Sequence, residues 1–299
     1  RMQTSICLRR RREMQFMGYR REDGRVGVRN YVLILPGCAC ASETCRLVAS
    51  EVRGTKNVIM NVGCSDVQAN TDMNLRVLTG FALNPNVFGV IVIGLGCETV
   101  GHRELAAKIR AETSKPVVSF GIQEIGGTVA TTAAAVKAAR EMVAQASEQQ
   151  REPCDASDLF VAIECGGSDA TSGIASNPAV GNMSDRIVDL GGTTMMSETI
   201  EFVGAEHILA KRGATPEIHD QIIRICEDYE KHLAGVGQDC RTGQPTTGNK
   251  AGGLSTIEEK SLGCIHKGGT RPVVEVLQEA ARPTKKGALI MDTPGYDIS

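Results

Sequence analysis

The sequence predicts an α/β protein: mainly parallel sheets with flanking helices, arranged as two Rossmann-like lobes with the active site at strand carboxyl ends. Two observations predict this. Short β-branched apolar runs alternate with helix-patterned segments through the first half of the chain, which is how a parallel sheet reads. Several of those runs also stop at a glycine and a cysteine, and in open α/β sheets the carboxyl ends of strands line the edge where ligands bind.

The opening residues 1–13 carry four consecutive arginines, Arg9 to Arg12, and no long apolar segment. They are expected to be a disordered leader outside the fold. A first α/β domain is expected over 14–150, with strands at 31–35, 57–62, 87–93 and 116–120. Helices are expected at 42–52, 65–81, 103–113 and 128–146, with Ser42 and Ser65 as N-caps and Gly54 as a stop. The polar stretch SEQQREPCDASD (147–158) reads as a boundary. A second α/β domain is expected over 151–299, truncated at its C-terminus. Its elements are a strand at 159–163, a helix at 177–190, and a helix at 216–233 whose apolar stripe is Ile218, Ile222, Ile225, Tyr229 and Leu233. A Gly-, Thr- and Asn-rich stretch at 235–253 is too long for a simple turn and reads as a functional loop. Short helices from Ser255 and over 272–280, and a strand at 288–291, complete the chain.

With 33 basic and 35 acidic residues, the chain has no global field to attract nucleic acid or an anionic membrane. Aromatic residues make up 3% and Trp is absent, which disfavours base-stacking platforms. A small metabolite is the expected partner, with no nucleic acid and no membrane. No apolar stretch approaches the roughly 20 residues needed to span a bilayer. A cytoplasmic protein with reduced thiols is expected, since the 11 cysteines cannot all pair internally.

Three apolar runs finish in cysteine: VIMNVGC at Cys64, VIVIGLGC at Cys97 and LFVAIEC at Cys165. A further Gly-Cys places Cys264 beside His266 and Lys267 in GCIHKGG. Each cysteine alone could simply pack, because free Cys is among the most buried residue types. Their repetition beside glycines and acids points to a site, at which Asp66, Glu98, Glu164 and Asp169 could also converge. No CxxC zinc spacing occurs, since Cys38 and Cys40 are only two apart. GLGCET at 94–99 lacks the third glycine of a dinucleotide fingerprint, which argues against a nucleotide-dependent oxidoreductase.

Five motifs in order, GYRREDGRVGVRNYVLILP (18–36), NPNVFGVIVIGLGCE (84–98), ECGGSDATSGIASNP (164–178), GNKAGGLSTIEEKSLGC (248–264) and DTPGYD (292–297), resemble the altronate and galactarate dehydratase family. That family also includes the large subunit of sulfolactate sulfo-lyase. The resemblance runs from about Gly18 to the last residue. It implies an iron-dependent lyase that removes water from a sugar acid beside its carboxylate. It also implies a small β-rich domain or subunit ahead of this region, and so a homo- or hetero-oligomer with this chain as large subunit. Family members continue past DTPGYD. Dehydratases commonly carry a His shortly before the Gly-Cys at 63–64, where this chain has Met60, Asn61 and Val62, so the sulfo-lyase, releasing sulfite and pyruvate, is the alternative to sugar-acid dehydration. A non-catalytic assembly subunit is a further alternative.

Elimination beside a carboxylate needs a base, stabilisation of an enediolate and help for the leaving group, and a divalent metal can supply the last two. The expected metal ligands are Cys64, Cys97, Glu98, Cys165 and Cys264. Mononuclear Fe2+ is favoured over an iron–sulfur cluster. Arg25, Arg29, Asn30, Ser168, Asn249 and Lys250 are expected to bind substrate. Asp169, Lys260 and Glu164 are the expected catalytic groups.

Overall fold

The computed structural model describes residues 14–294, so the expected leader at 1–13 and the GYD of DTPGYD lie outside the described residues. The chain divides into two compact units, one of residues 15–154 and one containing residues from Asp155 onward.

The first unit is centred on a four-stranded, all-parallel sheet in the order β4-β3-β5-β6, formed by β3 (Tyr31–Pro36), β4 (Thr55–Asn57), β5 (Val87–Gly94) and β6 (Val117–Gly121). Its strands read as near-continuous apolar runs because both faces are covered. Along β5 the side chains alternate between two cores. Ile91 and Ile93 pack with Ala41, Cys45 and Val48 of α1 (Ala39–Glu51) and with Ala135, Ala139 and Met142 of α4 (Thr128–Glu148). Val90 and Val92 pack with Leu78 and Ala82 of α2 (Gln68–Leu83) and with Leu105, Ala106 and Ile109 of α3 (His102–Glu112). A second, small sheet in the order β2-β1-β7 uses β1 (Gln15–Arg20), β2 (Val26–Gly27) and β7 (Glu152–Asp155).

The second unit holds another all-parallel sheet in the order β10-β11-β9-β8, from β8 (Phe160–Ile163), β9 (Thr193–Met196), β10 (Val273–Gln278) and β11 (Ala288–Asp292). The predicted stripe of α6 (Pro216–Gly235) is core, with Ile218, Ile222, Ile225 and Tyr229 packed with Ile163, Met196 and Ile290, while Leu233 is partly buried against them. Helix α5 (Asn177–Asp189) and α7 (Ile257–Cys264) complete the larger elements. Among the described residues, no helix is long and apolar enough to cross a membrane.

Several local expectations are corrected. The strand expected over 57–62 stops at Asn57, and its later polar groups leave the sheet for the start of α1: the Met60 N–H goes to Ser42 Oγ, and the Val62 carbonyl accepts from Ala39. Ser42 is therefore not an N-cap, and Ser65, with φ 56°, lies before the Val67 cap of α2. Residues 273–278 form strand β10 rather than a helix, since the β-branched run VVEV pairs in parallel with β11. The 235–253 stretch contains two short helical turns, Cys240–Gly243 and Thr247–Ala251. β1, β2, β7 and β9 have no counterpart in the sequence-based expectation.

Ile91 is fully buried at the centre of the first sheet. Ile91→Ala is expected to cost about 2–5 kcal/mol, read as a lower urea midpoint with an unchanged denaturant slope.

Candidate active site

In the second unit, neighbouring parallel strands deliver chemistry from their carboxyl ends. Strand β8 runs into Glu164 and Cys165, β9 into Ser197 and Glu198, and β11 into Thr293. Among the described residues, one group of three potential metal ligands has all its ligating atoms within 4.8 Å of one another: Cys165, Glu198 and Glu201.

Each member is held by named contacts. Glu198 is buried and has a left-handed backbone (φ 67°), a conformation that costs a non-glycine residue energy and survives only where the surroundings impose it. Here the Glu198 N–H donates to Thr293 Oγ1 at 2.5 Å, and its carboxylate accepts from the Cys165 N–H at 2.6 Å. Thr199 ties the same loop to β11, its hydroxyl donating to Asp292 at 2.6 Å and its N–H donating to the Thr293 carbonyl. Glu201 is buried as well. The Cys264 thiol donates to Glu201 Oε1 at 3.1 Å, and the Lys267 ammonium donates to Oε2.

Lys267 points inward because its turn is clamped. Ser184 of α5 donates to the Lys267 carbonyl, Asp185 accepts from the N–H groups of Thr270 and Arg271, and Arg212 donates to the carbonyls of Gly268 and Arg271. The neighbouring His266 side chain is exposed. Burial works against the Lys267 ammonium, but the Glu201 carboxylate outweighs it and holds the pKa above the ordinary lysine value. Burial, followed by the negative charge of Glu201, pushes the Cys165 thiol up to about 12. The same causes raise the Cys264 thiol. The Glu201 carboxylate and two thiols thus face one ammonium, and Glu198 adds a second carboxylate beside Cys165. A divalent cation would complete this donor set and displace the Cys165 proton, because ligating thiols bind as thiolates. The mixture of sulfur and oxygen donors is compatible with a divalent transition metal.

Around this cluster the GGSD, GNKAGG and LGC motifs assemble. Asn249 Nδ2 donates to the Ser168 carbonyl at 2.9 Å, and the Ala170 N–H donates to the Gly252 carbonyl. Gly263 and Gly173 meet backbone to backbone: a Cβ on Gly263 would lie 3.2 Å from the Gly173 Cα. Asp169 accepts from Thr171 Oγ1 and the Ser172 N–H, which hold its carboxyl below the ordinary range and give it a turn-closing role. Lys260 donates to Gln244, whereas Lys250 and Glu164 are exposed. Gly166 and Gly167 face open space.

Cys64, Cys97 and Glu98 belong to the first unit, at the carboxyl edge of its own sheet. There they line a cleft of about 190 Å³ together with Cys38, Cys40 and Asn61. Glu98 spends its oxygens on the N–H groups of Leu95, Gly96 and His102. Burial would raise its pKa, but these hydrogen bonds prevail and lower it. Asp66 likewise closes its own turn, accepting from the Val67 N–H and from the side chain of Asn70.

Arg25, Arg29 and Asn30 precede β3 and so lie at the amino edge of that sheet, opposite the cysteines. Arg25 bridges Asp23 and the Leu83 carbonyl, Asn30 donates to the Ala146 carbonyl, and the exposed Arg29 donates to the carbonyl of Val28. The sequence expectation did not include Glu198, Glu201 or Thr293. Glu198 and Glu201 follow a strand that was itself missed, although the SETIE spacing after a double glycine was a readable signal.

Residues 18–147 match the family described as D-galactarate dehydratase/altronate hydrolase, second domain, and residues 156–299 match D-galactarate/altronate dehydratase, C-terminal. The chain is 41% identical to the (2R)-sulfolactate sulfo-lyase subunit beta of Chromohalobacter salexigens, over 93% of this chain and 71% of that protein. It is 34% identical to the altronate dehydratase of Bacillus subtilis, over 95% of this chain and 58% of that protein. Identity to the galactarate dehydratase (L-threo-forming) of Escherichia coli is 35%, with the same two coverages. The chain therefore spans a little over half the length of these two dehydratases.

Lys267→Met strands the buried Glu201 charge and is expected to destabilise the protein by about 3–5 kcal/mol. The double substitution with Glu201→Gln is expected to recover part of that loss in urea unfolding. Because the folded pKa of Lys267 is raised, the pair's contribution is fully present below the unfolded lysine value of about 10.4 and is lost as pH rises through the folded value.

Proposed function

Because the chain belongs to the D-galactarate/altronate dehydratase family, we propose that it is the large subunit of a lyase that eliminates a group beside the carboxylate of a 2-hydroxy acid. The observation that carries this reading is the Cys165, Glu198 and Glu201 group at the strand ends of the unit matched by the family's C-terminal domain. Dehydration of a sugar acid of the altronate or galactarate type is the first reading. Release of sulfite from (2R)-sulfolactate, leaving pyruvate, is the second, and it is favoured by the higher identity to the sulfo-lyase subunit.

Cys165, Glu198 and Glu201 would hold Fe2+, which when bound would polarise the substrate carboxylate and the leaving group. Lys267 holds the Glu201 carboxylate in place through their ion pair. Ser168, Asn249 and Lys250 bind the substrate's hydroxyl and carboxylate groups, and Lys260 supplies further positive charge. Glu164, exposed beside Cys165, takes the proton from C2. The C2–H electron pair then forms the C2–C3 double bond while the C3 substituent departs with its bonding pair, as hydroxide that becomes water or as sulfite. The enol left behind tautomerises to the 2-oxo acid. Asp169 shapes the GGSD turn rather than moving a proton. A small β-rich subunit completes the enzyme, which works in the cytoplasm.

The full chain, anaerobic with Fe2+ and its small subunit, is to be assayed on altronate, galactarate and sulfolactate. A 2-oxo acid product is expected, with sulfite marking the second reading; no turnover of any of the three would overturn the proposal. Glu164→Gln is expected to lower kcat about 100-fold or more. Cys165→Ser is expected to abolish bound mononuclear iron.

A further inference from the structure

The first unit carries a cluster of nucleophilic side chains that the elimination does not use. Three loops at the carboxyl edge of its sheet bring Cys38, Cys40, Cys64 and Cys97 around one cleft of about 190 Å³. Backbone hydrogen bonds cross-link those loops: the Ala39 N–H donates to the Val62 carbonyl at 2.7 Å, and the Thr99 N–H donates to the Gly63 carbonyl at 2.8 Å. Gly63 permits the approach, since with φ 141° a Cβ there would lie 2.4 Å from the Cβ of Cys38.

The four thiols differ in a way that packing does not explain. Cys45, also on α1, is wholly buried in the apolar core, as free cysteines usually are. Cys40, Cys64 and Cys97 are exposed and none forms a disulfide, although an exposed thiol contributes nothing to a core. Cys38 is buried at the start of α1 and lines the same cleft as the three exposed thiols. The one carboxylate in the cleft, Glu98, is occupied by backbone N–H groups, so the available donors are sulfur.

The arrangement of the sulfurs and the size of the cleft argue against a single bound ion. A single tetrahedral ion with metal–sulfur bonds near 2.3 Å holds its thiolates about 3.8 Å apart. No three of these sulfurs lie within 4.8 Å of one another, and the cleft is far larger than one ion. A cluster of several irons and sulfides spaces its terminal thiolates more widely and is commonly held by four cysteines. We propose that Cys38, Cys40, Cys64 and Cys97 bind an iron–sulfur cluster in the carboxyl-edge cleft of the first unit. The four thiols bind as thiolates and release four protons as ferrous iron, ferric iron and sulfide are taken up, with no net change in oxidation state.

The test reconstitutes the full chain anaerobically with Fe2+, Fe3+ and sulfide, then removes unbound reagents. The expected result is visible charge-transfer absorption and acid-labile sulfide that co-purifies with the protein. The double variant Cys64→Ser, Cys97→Ser is expected to retain at least tenfold less sulfide; both positions are exposed, and circular dichroism checks that the fold is kept. Cys165→Ser is expected to retain the sulfide in full, which separates this site from the mononuclear iron of the proposed lyase centre. As a second readout, cluster loading is expected to protect Cys40, Cys64 and Cys97 from alkylation, followed by mass spectrometry. Wild-type chain that holds iron without labile sulfide, or a folded double variant that holds as much sulfide as wild type, would overturn the proposal.

Discussion

The buried ion pair of Lys267 with Glu201 is the interaction on which the candidate centre rests. Two carboxylates, Glu198 and Glu201, sit in the interior of the second unit beside the thiols of Cys165 and Cys264, and burying such groups is costly unless each is paired or hydrogen-bonded. One ammonium answers Glu201 directly, while backbone and hydroxyl groups hold Glu198. The clamps on the 267–271 turn, from Ser184, Asp185 and Arg212, follow from the same need, since they fix the only inward-facing cation of that segment. The left-handed backbone of Glu198 is strain of the kind found at functional sites, sustained here by the Thr199 and Thr293 hydrogen bonds.

Both units solve the same geometric problem with the same device. A parallel sheet lays its strand ends along one edge, so short loops leaving that edge bring together residues far apart in sequence. In the second unit the edge supplies carboxylate and thiol donors together. In the first it supplies thiols, because the available carboxylate is consumed in closing its own loop. Arg25, Arg29 and Asn30 illustrate the converse: they precede β3 and therefore serve the amino edge, where Arg25 and Asn30 fasten the C-terminal ends of α2 and α4.

Much of the sheet architecture was legible. The runs YVLILP and VFGVIVIG could only be strands covered on both faces, and the α6 stripe could only be core. The failures have local causes. TTMM is short and lacks alternation, and EPCD looks like a linker, so β9 and β7 depend on partners that no local pattern announces. Residues 273–278 read as a helix behind Pro272, yet a β-branched run beside an available strand edge pairs with it. The strand expected over 57–62 ended early because an edge strand's outer groups can be captured by a neighbouring helix terminus.

By itself the sequence determined the fold class and the family, and marked the cysteine ends of apolar runs, because these follow from periodicity and motif order along the chain. Tertiary structure decided how those ends are grouped. It assigned Cys64 and Cys97 to one unit and Cys165 and Cys264 to the other, and gave Cys165 two acidic neighbours, Glu198 and Glu201, that lie more than 30 residues away. It also turned Lys267 inward and His266 outward, although the two are adjacent in the same glycine-rich motif. The reason is that side-chain direction and charge pairing in a buried site are set by contacts between segments distant in sequence, which no local pattern encodes.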